Sequence, residues 1–124
     1  RGSRPRGNIL HMLTKLDLSN TEVSGDLQAL QNKDWLQALD LSNTNVSGDL
    51  QALGKPLIMR LTELNLSNTA VFGELGSLRR ARRLEVLDLS NTHVNGNLGA
   101  LTQAGYLKKL DLSNTAVSGK LKVL

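Results

Sequence analysis

The side chains in this sequence that could carry chemistry are a regular series of aspartates and one dense cluster of arginines. Each aspartate of the series is followed two residues later by a serine. The series comprises Asp17, Asp40, Asp88 and Asp111. The cluster comprises Arg79, Arg80, Arg82 and Arg83. A row of carboxylates attracts a cation or a basic partner, whereas a group of guanidinium ions attracts an acidic one.

Neither set has the companions that catalysis requires. The chain contains no cysteine, which excludes a thiolate nucleophile, a disulfide framework and a thiolate metal site. Its two histidines, His11 and His93, have no serine or carboxylate at a spacing that indicates a triad. The glycines stand singly, so no glycine-rich phosphate loop occurs. Evenly spread carboxylates do not close a coordination shell. The sequence therefore predicts a protein that is not an enzyme and has no cofactor.

The even spacing of the aspartates comes from an internal repeat. Related strings begin at Leu13, Leu36, Leu61, Leu84 and Leu107, with steps of 23, 25, 23 and 23 residues. Leucine, threonine, valine and glycine recur at the same offsets in all five copies. A fixed period in the twenties, with leucines at constant positions, indicates a solenoid of stacked repeats.

Each repeat has a pattern that predicts a short strand followed by a turn. Leu16 and Leu18 alternate with Asp17 and Ser19, so the leucines are expected to face the core and the polar pair the open face. Thr21, which is constant among the copies, is expected to point inward and to bond to the next coil. Equivalent strands are predicted around Leu16, Leu39, Leu64, Leu87 and Leu110.

The pattern Leu-x-x-Leu-x-Leu-x-x-Thr-x-Val-x-Gly-x-Leu, which covers residues 13–124, resembles the leucine-rich-repeat family. The segment Ser24-Gly25-Asp26-Leu27 is similar to the plant-type subclass, whose pattern has Gly-x-Ile-Pro there. Threonine stands where the family usually carries an inward asparagine. The resemblance implies an α/β repeat fold, a right-handed solenoid. It further implies a parallel β-sheet on the concave face and short strands, 3₁₀ or helical turns on the convex face.

The chain is expected to consist of a basic N-terminal arm and five repeats. The arm covers residues 1–12, and it is either a flexible tail or a segment that docks on an acidic neighbour. The repeats cover residues 13–35, 36–60, 61–83, 84–106 and an incomplete 107–124. The incomplete last copy predicts that the array continues in a longer chain or against another subunit. No apolar run is long enough for a membrane span.

Candidate binding residues lie where charge accumulates or where the copies differ. The aspartates are predicted to form an acidic ladder on the concave face, compensated by Lys15, Lys109, serine hydroxyls, water or a cation. His93 belongs to a variable column expected beside that ladder. Trp35 and Tyr106 are expected to pack at repeat junctions, with exposed anchors for a partner as the alternative. The candidate partner-binding residues are Arg79, Arg80, Arg82, Arg83, Trp35, Asp17, Asp40, Asp88, Asp111 and His93.

The function indicated by these features is protein binding without chemistry, as an interaction or scaffold module. The formal net charge of +4 is modest, so its concentration in the arginine cluster matters more than its size. That cluster is either a solvated patch or a site for an acidic partner. Nucleic acid is disfavoured because the chain has only one Trp, one Tyr and one Phe for base stacking. Two alternatives are a structural or peripheral subunit of a large multi-protein assembly and carbohydrate recognition on the concave face.

Overall fold

The computed structural model describes residues 12–124, so the predicted basic arm lies outside the described residues except for Met12. Two five-stranded sheets run along the described chain, each made of parallel neighbours. Sheet 1 contains β1 (Lys15–Asp17), β3 (Ala38–Asp40), β5 (Glu63–Asn65), β7 (Val86–Asp88) and β9 (Lys109–Asp111). Sheet 2 contains β2 (Ser24–Asp26), β4 (Asn45–Asp49), β6 (Ala70–Glu74), β8 (His93–Asn97) and β10 (Ala116–Ser118). Each coil of the chain therefore contributes one strand to each sheet.

The register of sheet 1 places equivalent residues of successive coils side by side. Leu39 is paired with Leu16 on one side and with Leu64 on the other, and Leu87 continues the row to Leu110. These leucines are the centres of the predicted strands, and the predicted solenoid fold is confirmed. The sequence period is thus converted directly into the stacking of coils.

In each coil, the strand of sheet 2 is followed by a tight 3₁₀ turn. The turns cover Leu27–Leu30, Leu50–Leu53, Leu75–Leu78, Leu98–Leu101 and Leu121–Val123. In three coils the residue before the turn caps it with a side-chain oxygen: Asp26, Asp49 and Asn97 each accept from the backbone N–H two residues later. Such capping satisfies a donor that would otherwise be left without a partner. The outer wall is therefore short strand and 3₁₀ turn, as predicted.

The longer second copy forms the one α-helix among residues 12–124, α1 (Lys55–Arg60). Gly54, with φ of 81°, turns the chain out of the preceding 3₁₀ segment, and Pro56 lies in the first turn of the helix, where its missing N–H is harmless. Leu57 and Ile58 are buried, whereas 41% of Met59 is exposed. No helix of residues 12–124 is long and apolar enough to cross a membrane.

The core is an aliphatic stack between the two sheets and the 3₁₀ turns. Leu64, Leu66 and Val71 in the third coil have no exposed surface, and neither do Leu87 and Leu89 in the fourth. Burying each such side chain contributes about 1.5–3 kcal/mol. The central coils are the most completely buried, because each of them is covered by a neighbouring coil on both sides.

The turn that joins each strand of sheet 1 to sheet 2 has one constant geometry. The asparagine that follows the serine adopts a left-handed conformation in every coil: φ is 58° at Asn20, 57° at Asn43, 55° at Asn68, 57° at Asn91 and 56° at Asn114. Asparagine tolerates this region better than most residues do. Its backbone N–H donates to the serine carbonyl of the next coil, as from Asn68 to Ser90 at 3.0 Å. The turn thus adds a bond between coils at every step.

The constant threonine closes this turn from inside its own coil, contrary to the expected bond between coils. Thr69 Oγ1 donates to the carbonyl of Leu66 at 2.6 Å and accepts from the backbone N–H of Val71 at 3.4 Å. Thr44, Thr69 and Thr92 are buried. The side chain is too short to reach the neighbouring coil once it has bonded to a carbonyl three residues back. At this turn, bonding between coils falls to the backbone and, at one step, to the Nδ2 of Asn68, which donates to the Oδ1 of Asn43 at 2.8 Å.

Replacing Thr69 with valine tests the role of this hydroxyl. Thr69→Val leaves the buried Leu66 carbonyl without its donor, so the free energy of unfolding should fall by about 1–3 kcal/mol. Thr21→Val removes the same pair of bonds from an exposed threonine, where water can replace the hydroxyl, and should cost clearly less. Urea denaturation followed by circular dichroism measures both changes. Equal losses at the two positions would contradict this role.

Candidate functional site

The acidic ladder forms on sheet 1 as predicted. Hydrogen bonds from the serines stabilise its carboxylates and so offset the repulsion between neighbouring charges. Asp17, Asp40, Asn65, Asp88 and Asp111 are adjacent in register. Each of these side chains accepts from both the backbone N–H and the hydroxyl of the serine two residues later. At Asp40 the two distances are 3.0 Å and 2.7 Å. The serine hydroxyls, which were among the compensating groups expected from the sequence, therefore bond directly to the carboxylates.

The serines beside the ladder are less accessible in the central coils than the strand pattern predicted. Ser42, Ser67 and Ser90 are buried, whereas Ser113 in the last coil is exposed. The strand ends at the preceding aspartate or asparagine, so the alternation of inward and outward side chains stops before the serine is reached. The serine then folds back towards the carboxylate, which is the local geometry that aspartate side chains favour.

The bonds from serine lower the pKa of the two terminal aspartates of the ladder. At Asp17 the main cause is the hydroxyl of Ser19, followed by its backbone N–H, with a smaller contribution from the charge of Lys15 that acts against desolvation. The pKa of Asp111 is lowered in the same order by Ser113 and Lys109. Hydrogen bonds to a charged form favour that form. These two ends of the ladder are therefore firmly ionised at neutral pH.

The open face of sheet 1 has only a shallow depression. Its volume is about 170 Å³, and its polar lining is Lys15, Asp17, Asp40, Glu63 and Asn65. Among residues 12–124 no group of three His, Asp or Glu side chains is arranged to hold a metal ion. The face offers a broad polar surface of mixed charge, suited to contact with a macromolecule and not to the enclosure of a small molecule.

His93 lies away from the position that the sequence predicted for it. It begins strand β8 of sheet 2, where its register partner is Phe72 of β6, and both side chains are exposed. The left-handed turn at Asn91 has already carried the chain out of sheet 1. The variable column that contains His93 therefore belongs to the outer wall and does not flank the acidic ladder.

Trp35 and Tyr106 are both substantially exposed, so neither side chain is buried at a repeat junction. The exposed fraction is 45% for Trp35 and 69% for Tyr106. The guanidinium carbon of Arg60 lies 4.3 Å from the centroid of the Trp35 ring. An arginine at this distance is attracted by the negative face of the ring. The junction is thus a surface stack of tryptophan and arginine.

The arginine cluster follows the third 3₁₀ turn and is fully presented to solvent. Arg79, Arg80, Arg82 and Arg83 are exposed on either side of a buried Ala81. Arg82 Nε donates to Gln103 Oε1 at 3.2 Å in the following coil. The one salt bridge among residues 12–124 joins Lys108 to Glu85, and the remaining residues 1–11 contain no Asp or Glu. Within residues 12–124, therefore, no carboxylate side chain forms a salt bridge with the cluster.

A cleft separates this cluster from helix α1. Its volume is about 460 Å³, and its lining consists of Pro56, Met59, Arg60, Arg80, Arg82 and Arg83. Three of these residues, Pro56, Met59 and Arg60, were not named individually as candidates, but they lie in the longer second copy, where the copies differ. A signal for them was present, because the copy that contains them is two residues longer than the others and Arg60 occupies the slot of Trp35 one coil later.

The sequence matches no protein-family model and no curated protein. Solved structures do resemble the fold. The leucine-rich-repeat ectodomain of the Arabidopsis thaliana receptor kinase GASSHO1/SCHENGEN3, in complex with CASPARIAN STRIP INTEGRITY FACTOR 2, is 26% identical with a TM-score of 0.76 over 87% of this chain. The BIR2 ectodomain from the same plant is 30% identical with a TM-score of 0.74 over 84% of this chain.

A third similar structure is the Arabidopsis receptor kinase HAESA in complex with the peptide hormone IDA and the co-receptor SERK1. It is 27% identical, with a TM-score of 0.76 over 92% of this chain. The chain spans 13% of the GASSHO1/SCHENGEN3 structure, 56% of the BIR2 structure and 20% of the HAESA structure. The similarity therefore concerns a few coils of longer arrays.

The pH dependence of the acidic ladder provides a test of its serine bonds. Ser113→Ala should raise the pKa of Asp111 towards its ordinary value, because the largest cause of the shift is removed. A depressed folded-state pKa stabilises the fold above the unfolded pKa, and this contribution is lost as pH falls through the folded pKa. The variant should therefore lose less stability on acidification than the parent chain does. Carboxyl NMR titration measures the shift, with Ser118→Ala on sheet 2 as the control. An unchanged pKa in Ser113→Ala would disprove the assigned cause.

Proposed function

We propose that this chain is a leucine-rich-repeat protein, similar to the plant-type subclass, and that it is a protein-interaction module without enzymatic activity. Three properties support this function. The coils form a continuous scaffold with two long sheets, the open face of sheet 1 is broad and shallow, and the similar GASSHO1/SCHENGEN3 and HAESA structures hold peptide or protein partners. A solenoid of this kind offers extended surface from rigid elements.

The observation that carries the proposal is the exposed arginine cluster. Four guanidinium groups within five residues repel one another, and no carboxylate side chain of residues 12–124 forms an ion pair with them. An acidic protein surface would relieve this repulsion and would be steered towards the cluster by its field. We therefore assign the cluster as the principal contact for an acidic protein partner.

The acidic ladder is a second candidate surface, for a basic region of the same or another partner. Its carboxylates are held in one orientation by the serine bonds, so little side-chain entropy is lost when they are contacted. Asn65 interrupts the row of charges at its centre and reduces the repulsion between neighbours. The two surfaces differ in sign, so charge reversal can separate their contributions.

Partner capture with matched charge variants tests the function. The immobilised chain is used to capture proteins from an extract of the source tissue, and captured proteins are identified by mass spectrometry. Replacing all four cluster arginines with glutamate should reduce recovery of a cluster-dependent partner by about tenfold or more, because attraction becomes repulsion. The loss should be weaker at high salt, where both forces are screened.

The matched control is replacement of the same arginines with lysine, which retains the charge. The acidic ladder on sheet 1 is tested separately by combining Asp40→Asn with Asp88→Asn. The lysine variant should keep most of the capture. If the glutamate variant recovers the same proteins as the parent chain, the cluster is not the contact surface. If no variant on either surface changes recovery, neither proposed surface is used.

A further inference from the structure

We propose that the cleft between α1 and the arginine cluster binds a short acidic peptide segment that carries an apolar side chain between its carboxylates. This inference rests on the proposed interaction function and names the chemistry of the partner. The cleft joins two copies of the repeat, because α1 belongs to the second and the cluster to the third. Its lining combines four guanidinium groups with the apolar side chains of Pro56 and Met59.

The first wall of the cleft is held in place by the core. Leu57 and Ile58 anchor α1 from below with 0% and 3% of their surface exposed. The same helical turn directs Pro56 and Met59 towards the cleft, where both are exposed. An exposed Met59 beside charged groups offers an adaptable apolar contact, because its side chain is unbranched and polarisable. This wall therefore suits an aliphatic side chain of the bound segment.

Two of the cleft's guanidinium groups are restrained before any ligand arrives. Arg60 lies over the ring of Trp35 at 4.3 Å, and Arg82 donates through Nε to Gln103 at 3.2 Å. The bond from Arg82 uses one of its five N–H donors and leaves its terminal nitrogens available. A restrained guanidinium loses less freedom on binding a carboxylate, and its planar fork matches the two carboxylate oxygens.

The sign of the charge distinguishes this cleft from its neighbour. A second cleft of about 690 Å³ shares Arg80, but its lining includes Asp49 and Glu74 as well as Lys55 and Arg79. No carboxylate lines the cleft of 460 Å³. An acidic segment therefore meets only positive charge in the smaller cleft and mixed charge in the larger one. The chemistry places the acidic segment in the smaller cleft.

An acidic peptide fits this lining better than nucleic acid or a membrane surface does. Binding of single-stranded nucleic acid depends on aromatic platforms for the bases, and no aromatic side chain lines the cleft. Arg60 occupies one face of the Trp35 ring, which is not part of the cleft lining. A lipid headgroup layer presents phosphates on a broad surface, whereas the charge here surrounds a recess with an apolar wall. A peptide offers carboxylates and an aliphatic side chain in one short segment.

Trp35 is the only tryptophan of the chain, so its fluorescence reports on Arg60 and hence on the cleft. The probe is the capped peptide Glu-Glu-Leu-Glu-Glu, titrated into the full chain at low salt. A saturable change in Trp35 emission is expected. The peptide with glycine in place of leucine should bind roughly tenfold more weakly, since the apolar contact is lost. Equal affinity of the two peptides would overturn the proposed apolar subsite.

Matched variants locate the binding. Arg80→Gln combined with Arg82→Gln should weaken the peptide at least tenfold, and Met59→Ser should remove the preference for leucine over glycine. Lys120→Gln combined with Lys122→Gln is the control, because both lysines are exposed in the last coil and neither lines the cleft. Thermal unfolding of each variant verifies that the coils remain folded. An effect of the lysine double variant as large as that of the arginine double variant would refute the assigned cleft.

Other anions are tested as alternative ligands of the cleft. Inorganic phosphate, phosphatidylserine vesicles and a DNA duplex are titrated under the same conditions, and a response to any of them that equals that of the peptide would overturn the proposal. The failure modes are separable. If charge reversal abolishes capture of a protein partner but the peptide does not bind, the cleft assignment fails and the interaction function stands. If the peptide binds but no protein is captured, the cleft assignment stands and the interaction function fails.

Discussion

The structure depends on one repeated backbone bond, from the N–H of each left-handed asparagine to the serine carbonyl of the next coil. Asn20, Asn43, Asn68 and Asn91 each form this bond at 2.9–3.0 Å. It starts from the turn that redirects the chain from sheet 1 to sheet 2, and it joins neighbouring coils at that point. The geometry requires a residue that tolerates positive φ, a short polar residue before it and a hydroxyl after it. The Ser-Asn-Thr string is therefore constant because each of its members has a fixed task in the turn.

This constraint separates scaffold from surface. Residues that maintain the coil are the same in every copy, whereas residues outside the coil geometry can vary without disturbing the stack. The largest departures are the additional turn that becomes α1 and the arginines that follow the third 3₁₀ turn. They come from consecutive copies, and stacking brings them to opposite sides of one cleft. The regular scaffold thus places irregular segments of different copies beside one another. Several short segments can then form one binding surface.

The sequence period was sufficient to predict the fold class and the centres of the strands, since leucines at constant offsets can be buried only by stacking. Local departures from the repeat geometry were harder to predict from the sequence. The buried position of Ser42 follows from the end of the strand at Asp40, and strand alternation alone does not reveal where that end lies. The stack of Arg60 on Trp35 depends on rotamers and on an additional turn of helix, although the shared slot of the two residues was a usable signal. The column of His93 belongs to sheet 2 because the left-handed turn at Asn91 comes before it, and strand alternation does not show the position of that turn.

The central claim is that constant residues hold the coils while the variable segments bind the partner. Hydrogen–deuterium exchange of the chain, alone and with its captured partner, tests this claim most directly because it reports on every coil at once. The account predicts that added protection is concentrated in residues 54–60 and 79–83, with the strands of sheet 2 unchanged. Protection confined to the open face of sheet 1, or to the first and last coils, with no change in those two segments, would contradict it.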